Sequence, residues 1–144
     1  MTLPQRTSPA TLPDRRPLRI LVADDHPIVR QTVRRLLNSH PRFEVCGEAH
    51  DGAEAIDEAQ RLKPDVVVMN IAMPVMNGIE AAREINAKLP ELAIVILSSH
   101  ADKHFIEQAM KSGARAYVAK TKAGEALVRA IEAAVTDGDF VLVD

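Results

Sequence analysis

The chain has 144 residues, of which 47% are hydrophobic and 26% charged, and its formal net charge is −2. This length predicts a single domain with a sizeable core, and the lone cysteine excludes an internal disulfide framework. No apolar run reaches the roughly 18 residues that a membrane span requires, and no signal peptide is evident, so we expect a cytoplasmic protein without a membrane partner.

Residues 1–17 differ in composition from the rest of the chain. They hold four of the nine prolines and show no hydrophobic period, which predicts a flexible leader. Residues 1–19 carry four arginines and one aspartate, so the remainder has a net charge of −5. This mild acidity disfavours a nucleic-acid groove, which needs clustered Lys and Arg. The leader arginines could alternatively form an interaction arm.

Beyond the leader, short apolar runs alternate with amphipathic segments. The predicted strands cover residues 18–23, 43–49, 66–69, 92–97 and 114–119. Helical periodicity follows each strand, over residues 27–39, 51–62, 77–89, 105–113 and 123–135. This alternation predicts an α/β fold with a doubly wound parallel sheet. The length favours a flavodoxin-like five-stranded order 2-1-3-4-5 in a domain of residues 18–137, followed by a tail or linker over residues 138–144.

Polar side chains follow four of the predicted strands at the point where each strand ends. They are Asp24 and Asp25, Asn70, Ser98 and Lys120. In the predicted order these residues meet at the carboxyl edge of the sheet, where doubly wound folds bind ligands. Two adjacent carboxylates attract a hard divalent cation, for which Mg²⁺ fits best. No GxGxxG or GxxxxGK[ST] motif occurs, so a nucleotide-binding turn is not indicated.

Four segments in register resemble the receiver domain of two-component response regulators, in particular its NarL/FixJ-type branch. They are ILVADDHPIVR, DVVVMNIAMPVMNG, VILSSH and GARAYVAK, and the match runs from about Leu18 to Val135. The resemblance implies a CheY-like (βα)5 fold, a Mg²⁺ cofactor, a sensor histidine kinase as partner and an output that is usually transcription. It also implies a signalling module that is not itself an enzyme.

The resemblance implies a role for each residue at this edge of the sheet. Asp25 would bind Mg²⁺ directly and Asp24 partly through water, with the main-chain carbonyl of Ala72 as a further ligand. Ser98 occupies the position of the hydroxyl that bonds an incoming phosphoryl oxygen. Lys120 occupies the position of the lysine that pairs with the phosphoacceptor and neutralises the phosphoryl group.

The resemblance also implies roles in the conformational switch and in setting the lifetime of the phosphoryl group. Tyr117 matches the aromatic residue that moves inward when the hydroxyl of Ser98 moves. Ala72, Ser99 and His100 match positions that tune how long the phosphoryl group lasts. The five histidines form no metal spacing with the single cysteine, and we interpret all of them as non-ligands.

Asn70 stands where the family has its phosphoaccepting aspartate, which is also a metal-ligand position. A carboxylate can attack phosphorus to form an acyl phosphate, whereas an amide oxygen is uncharged and a poor nucleophile. The lack of a negative charge at position 70 should also weaken Mg²⁺ binding. In the absence of metal, it should reduce the repulsion between neighbouring carboxylates and so stabilise the fold. The asparagine could be engineered, which the survival of every other site residue favours, or it could have arisen naturally.

Each of these residues also has an ordinary structural interpretation. Asp25 could simply precede a helix that starts at Pro27, and Ser98 and Lys120 could be a loop hydroxyl and a solvated charge. Tyr117 could be core filler. Two consecutive aspartates at the end of a buried strand nevertheless favour a site, and the common register of the other residues supports it.

Three classes of function stay open. The first is a receiver whose phosphorylation is disabled at Asn70. The second is a natural phosphorylation-independent interaction module, a pseudo-receiver that could form a homodimer through its first, fourth or fifth helix. The third, a Mg²⁺-dependent phosphatase or other stand-alone enzyme, is disfavoured because no carboxylate nucleophile remains at the centre. Receivers of this branch usually precede a DNA-binding domain, so we expect a longer regulator that contacts DNA beyond Asp144, or else a single-domain regulator.

Overall fold

The computed structural model describes residues 16–136 and 139–142, so most of the predicted leader lies outside the described residues. The strands are β1 (Leu18–Ala23), β2 (Phe43–Ala49), β3 (Val66–Met69), β4 (Ala93–Ser98), β5 (Ala116–Ala119) and β6 (Phe140–Leu142). The helices are α1 (Pro27–Asn38), α2 (Gly52–Leu62), α3 (Gly78–Lys88), α4 (Lys103–Lys111) and α5 (Ala123–Thr136). A short 3₁₀ turn, Lys120–Lys122, joins β5 to α5.

The six strands form one parallel sheet in the order β2-β1-β3-β4-β5-β6. The order confirms the predicted doubly wound fold and extends it by one strand. β6 pairs with β5 within residues 138–144, which were predicted to be a tail or linker. Its three residues are too few to show a period, and it forms because β5 offers unpaired main-chain groups and because Phe140 and Leu142 pack against the core.

Alternating side chains of the central strands fill two cores, one on each face of the sheet. Val66 and Val68 of β3 belong to the core under α1 and α5, whereas Val67 and Met69 belong to the core under α2, α3 and α4. A strand buried on both faces must be apolar throughout, which explains the uninterrupted run of β3. None of the described helices is long and apolar enough to cross a membrane.

The N-terminal caps of α2 and α3 differ in the structure. Asn77 begins α3 with a complete box, because its side chain accepts from the Glu80 N–H while the Glu80 carboxylate accepts from the Asn77 N–H. Asp51 caps α2 through the Glu54 N–H. The Glu54 carboxylate, however, accepts from the N–H of His50 instead of Asp51, so this box is only half formed.

Two glycines hold the loop between β3 and α3 close to its neighbours. The N–H of Gly78 donates to the Ile71 carbonyl at 2.7 Å, and a Cβ on Gly78 would lie 2.0 Å from the Asn70 carbonyl oxygen. The N–H of Gly52 donates to the Met76 carbonyl at 3.0 Å, and a Cβ there would lie 2.2 Å from the same oxygen. The main chain that follows Asn70 is therefore held by contacts that only glycine permits.

Candidate functional site

The strand register brings the predicted site residues to the carboxyl edge of the sheet. β1 and β3 end in register, so Asp24 and Asn70 follow side by side, and the Asn70 N–H donates to the Ala23 carbonyl at 2.9 Å. Ser98 ends β4, and Lys120 follows β5, the next strand. Asp24, Asn70 and Ser98 are almost fully buried, although all three are polar. Buried polar groups require partners, so their hydrogen bonds define the site.

Asp24 is the most highly connected group at this edge. Its Oδ1 accepts from the His26 N–H at 2.9 Å and lies 3.0 Å from His26 Nδ1, while its Oδ2 lies 3.0 Å from Lys120 Nζ. Its main-chain carbonyl accepts from Arg30 Nη1 at 2.6 Å. Both carboxylate oxygens therefore have partners, as a buried charge requires.

His26 and Arg30 were not identified as site residues from the sequence. His26 is the N-cap residue of α1, and its place directly after two aspartates was the signal that could have indicated contact. Arg30 lies on the face of the helix opposite its apolar residues, as the helical period predicts for a solvated side chain, but it is only 19% exposed. It bridges Asp24 to Glu48, whose carboxylate it contacts at 3.1 Å. Burial opposes ionisation of Glu48, but hydrogen bonds from Arg34 and Arg30 outweigh it and hold the pKa of Glu48 below its usual value.

Asp25 provides the observation that fits a cation. Its Oδ1 is buried and has no hydrogen-bond partner among the described residues. His26 Nδ1 lies 3.2 Å from this oxygen, farther than its 3.0 Å contact with Asp24 Oδ1. Ligand atoms of these three residues lie within 4.8 Å of one another. A buried carboxylate oxygen without a donor is the group that a hard cation such as Mg²⁺ would satisfy.

The side chain of Asn70 turns toward its own loop. Asn70 Nδ2 donates to the main-chain carbonyl of Ala72 at 2.9 Å. Because a carbonyl can only accept, this bond determines which way the amide points. The carbonyl that the resemblance implied as a metal ligand therefore already holds an amide hydrogen. A carboxylate at position 70 could not make this bond.

Lys120 pairs with a different residue from the one that the resemblance implied. Its Nζ forms an ion pair with Asp24 instead of position 70. The uncharged amide of Asn70 offers the ammonium little attraction, whereas Asp24 offers a carboxylate in the same buried corner. The lysine thus neutralises one of the two carboxylates that were expected to attract a cation.

Ser98 and Tyr117 are connected through the backbone of His100. Ser98 Oγ accepts from the His100 N–H at 3.0 Å, and the Tyr117 hydroxyl donates to the His100 carbonyl at 2.7 Å. Tyr117 is fully buried, so its ring points inward. Burial raises the pKa of Tyr117, a hydrogen bond with Ser98 opposes the rise, and the charge of Asp102 adds to it. This placement suits both the switch and the core-filler interpretation.

The three positions assigned to tuning lie where the site meets solvent. Ala72, Ser99 and His100 are all exposed, and they follow the carboxyl ends of β3 and β4. The His100 ring packs on Phe105 of α4 with 4.6 Å between centroids. Their side chains could therefore contact a group bound at this edge without being part of the buried network.

Comparison with known proteins agrees with this geometry. The family model of the response regulator receiver domain matches residues 20–132. The transcriptional regulatory protein DegU of Brevibacillus brevis is 33% identical over 124 residues, which cover 86% of this chain and 52% of DegU. The chain thus spans about half the length of the curated relatives that it matches.

Two solved structures are also similar. A two-component response regulator of the LuxR family from Aurantimonas sp. SI85-9A1 has a TM-score of 0.83 at 38% identity, over 86% of this chain and 89% of that one. The response regulator domain of Thermotoga maritima CheB has a TM-score of 0.79 at 32% identity, over 83% of this chain and 97% of that one. With its fold, its acidic edge and these matches, the chain belongs to the response regulator receiver domain family.

Proposed function

We propose that this chain is the receiver of a two-component transcriptional regulator in which phosphoryl transfer is disabled at Asn70. Family membership and the relatives that are transcriptional regulators support the receiver role. The observation that carries the disabled state is the side chain of Asn70, which is buried at the end of β3 and donates to the Ala72 carbonyl. The position expected to supply a nucleophilic anion supplies a hydrogen-bond donor.

The chemistry of the amide explains why transfer fails. Phosphoryl transfer needs an oxygen that can attack phosphorus and keep a stable bond to it, and a carboxylate does so as an acyl phosphate. The oxygen of Asn70 shares its lone-pair density with nitrogen and carries no charge. Lys120, which would balance the transferring group, is held by Asp24 at 3.0 Å. Neither group is arranged to react.

The same contacts weaken the proposed metal site. Mg²⁺, when bound, supplies positive charge for the phosphoryl oxygens. Asp25 would hold it through the buried Oδ1 that has no partner. Asp24 would have to share its Oδ2 with Lys120, and the Ala72 carbonyl would have to release Asn70. Binding therefore competes with two existing contacts and lacks the third carboxylate.

The partners follow from the relatives and are proposals. We infer a sensor histidine kinase upstream, because a receiver domain accepts its signal from one in this family. Transcriptional regulators such as DegU are about twice as long as the matched stretch. We therefore assign DNA contact to a separate domain and not to the acidic surface described here.

Intact-mass analysis after incubation with acetyl phosphate and Mg²⁺ tests the proposal. The chain should stay unmodified, and Asn70→Asp should gain one phosphoryl group. Asn77→Asp is a matched control, because it makes the same chemical change at the exposed N-cap of α3 and should stay unmodified. Phosphorylation of the unchanged sequence, or a folded Asn70→Asp protein that accepts nothing, would contradict the proposal.

A pseudo-receiver that works without phosphate is the second candidate. One observation favours it: Lys120 pairs with Asp24, and Asn70 donates to the Ala72 carbonyl, so each of these side chains has a partner within the chain. Small-angle scattering of Asn70→Asp, with and without beryllofluoride and Mg²⁺, separates the two candidates. A change of oligomeric state supports a disabled switch. An unchanged state and unchanged partner binding support the pseudo-receiver.

A further inference from the structure

Asn77 is the only asparagine of the chain that a glycine follows. The other asparagines, at positions 38, 70 and 86, precede Ser39, Ile71 and Ala87. An asparagine loses its amide when the main-chain nitrogen of the next residue attacks the carbon of the side-chain amide. Glycine leaves that nitrogen unhindered and gives the main chain the most freedom, so in an unfolded chain Asn77 is the asparagine most open to this attack.

The reaction replaces the amide with a carboxylate in two steps. The Gly78 nitrogen bonds to Asn77 Cγ, the bond from Cγ to Nδ2 breaks, and the amide leaves as ammonia with the proton that the Gly78 nitrogen gives up. Water then opens the five-membered imide ring. Attack of water at the former side-chain carbonyl gives aspartate. Attack at the main-chain carbonyl gives isoaspartate, in which the main chain runs through the former side chain.

Three hydrogen bonds oppose this reaction in the folded chain. The Gly78 N–H donates to the Ile71 carbonyl at 2.7 Å, so the attacking nitrogen is already engaged. Asn77 Oδ1 accepts from the N–H groups of Ile79 and Glu80 at 2.8 and 2.9 Å, which holds the side chain over the start of α3. Ring closure would pull the nitrogen away from the Ile71 carbonyl and would turn the Asn77 side chain away from its two donors.

The main chain at Asn77 also has the wrong conformation for ring closure. Its ψ is 167°, which staggers the Gly78 nitrogen and the Asn77 Cβ about the Cα–C bond, whereas a flat five-membered ring needs them eclipsed. Rotation about that bond would move Gly78. Gly78 is buried, and even a Cβ on it would lie 2.0 Å from the Asn70 carbonyl oxygen. The loop must therefore open before the ring can form.

We propose that Asn77 is a deamidation site that the fold protects, so that it reacts only when the loop between β3 and α3 opens. The three hydrogen bonds correspond to a slowing of about a hundredfold relative to the unfolded chain. The two products differ in their consequences. Aspartate keeps the cap and adds a negative charge at the start of α3, which is favourable there. Isoaspartate lengthens the main chain by one carbon, so the loop cannot close again around Gly78.

Peptide mapping by mass spectrometry, after incubation of the full chain in mildly alkaline buffer, tests the site. In guanidinium chloride Asn77 should be the main site, and in buffer it should react about a hundred times more slowly. A synthetic peptide of residues 73–81, incubated in both solutions, corrects for the effect of the denaturant. Equal rates in the folded and the unfolded chain would overturn the proposal, as would faster reaction at another asparagine of the unfolded chain.

Hydrogen exchange at the Gly78 N–H measures the opening of the loop independently. Exchange and ring closure both require the bond to the Ile71 carbonyl to break. The protection factor of this amide should therefore match the slowing of deamidation at Asn77 to within about threefold. A larger difference in either direction would separate the reaction from the opening of the loop and overturn the proposal.

Glu80→Ala removes half of the capping box and leaves Asn77 and Gly78 in place. It takes away the carboxylate that accepts from the Asn77 N–H at 3.2 Å, so deamidation of the folded chain should become about fivefold faster. Glu84→Ala is the matched control, because it removes an exposed carboxylate from the same helix and should leave the rate unchanged. Equal rates in the two variants would overturn the proposal. The reaction uses neither Asn70 nor a phosphoryl group, so these results are independent of the proposed receiver function.

Discussion

Lys120 Nζ lies 3.0 Å from Asp24 Oδ2, and this ion pair is the central contact of the acidic edge. The Asp24 side chain is 4% exposed and that of Lys120 is 19% exposed, so water screens the pair only weakly. The lysine gives a buried carboxylate the partner that it needs, and at the same time it occupies an oxygen that a metal would use. Stability and metal binding are therefore in competition at this one contact.

Replacing Lys120 with methionine should destabilise the fold. The change leaves the buried Asp24 Oδ2 without its partner, and we expect a loss of about 2 kcal/mol, less than the 3–5 kcal/mol typical of fully buried pairs because Lys120 retains some exposure. Urea unfolding measures the loss. Lys122→Met is the matched control, since Lys122 pairs with the exposed Glu125 at 3.8 Å, and its effect should stay within about 0.5 kcal/mol. Equal effects of the two changes would contradict the role assigned to the pair.

Introducing a carboxylate at position 70 should make stability depend on metal. In EDTA, Asn70→Asp places a third carboxylate beside Asp24 and Asp25 and removes the donor to the Ala72 carbonyl, so the free energy of unfolding should fall by about 1–2 kcal/mol. Saturating Mg²⁺ should recover this loss in the variant, because a ligand that binds only the native state stabilises it. The unchanged chain should gain much less from Mg²⁺. Urea unfolding with and without Mg²⁺ checks this, and an equal gain in both proteins would refute it.

Tyr117 allows a direct measurement of burial inside the site. It is the single tyrosine of a chain without tryptophan, so tyrosinate absorbance reports on it alone. Burial raises the pKa of Tyr117 above the ordinary 10.0, and the titration of the folded chain should have its midpoint above that of the urea-unfolded chain. Ser98→Ala should raise the pKa further, because the hydrogen bond with Ser98 lowers it.

The same shift predicts the sign of the pH effect on stability. The pKa of Tyr117 is higher in the folded chain than in the unfolded chain. Its contribution to the stability of the fold is therefore complete below about pH 10, and it is lost as the pH rises through the folded pKa. At pH 7, Tyr117→Phe should lower the free energy of unfolding by about 1 kcal/mol, because it removes the hydrogen bond to the His100 carbonyl. Above pH 10, the free energy of unfolding of the variant should also fall less steeply with pH than that of the unchanged chain. Parallel curves for the two proteins would contradict the assignment.

Gly78 should tolerate no side chain. A Cβ would lie 2.0 Å from the Asn70 carbonyl oxygen, so Gly78→Ala must move the main chain at the site, at a cost of about 2 kcal/mol or more. Gly124→Ala is the matched control, because nothing lies within 4 Å of its added methyl group. It should be neutral or stabilise α5 by a few tenths of a kcal/mol. Thermal unfolding of both variants compares them, and similar melting temperatures would contradict the close contact.

The positions of residues at the ends of strands and helices were predicted from local patterns in the sequence. Strand ends placed Asp24, Asn70, Ser98 and Lys120 at one edge, and the register confirms that placement. Gly113, at the predicted end of the fourth helix, has the positive φ that glycine often adopts after a helix. These features arise from hydrogen bonds and periodicities within one or two turns of chain, which a single segment contains.

The contacts between segments were decided by the tertiary structure. Ninety-six positions separate Asp24 from Lys120, and nothing in either segment showed that they would pair in preference to position 70. β6 was missed for the same reason, since three residues become a strand only when an edge is there to receive them. Arg19, Lys63 and Arg115, which lie far apart in the sequence, likewise line one cavity at the amino edge of the sheet. Which charged side chains form pairs depends on the distances between segments in the folded protein. Those distances are set by packing, and no local pattern in the sequence indicates them.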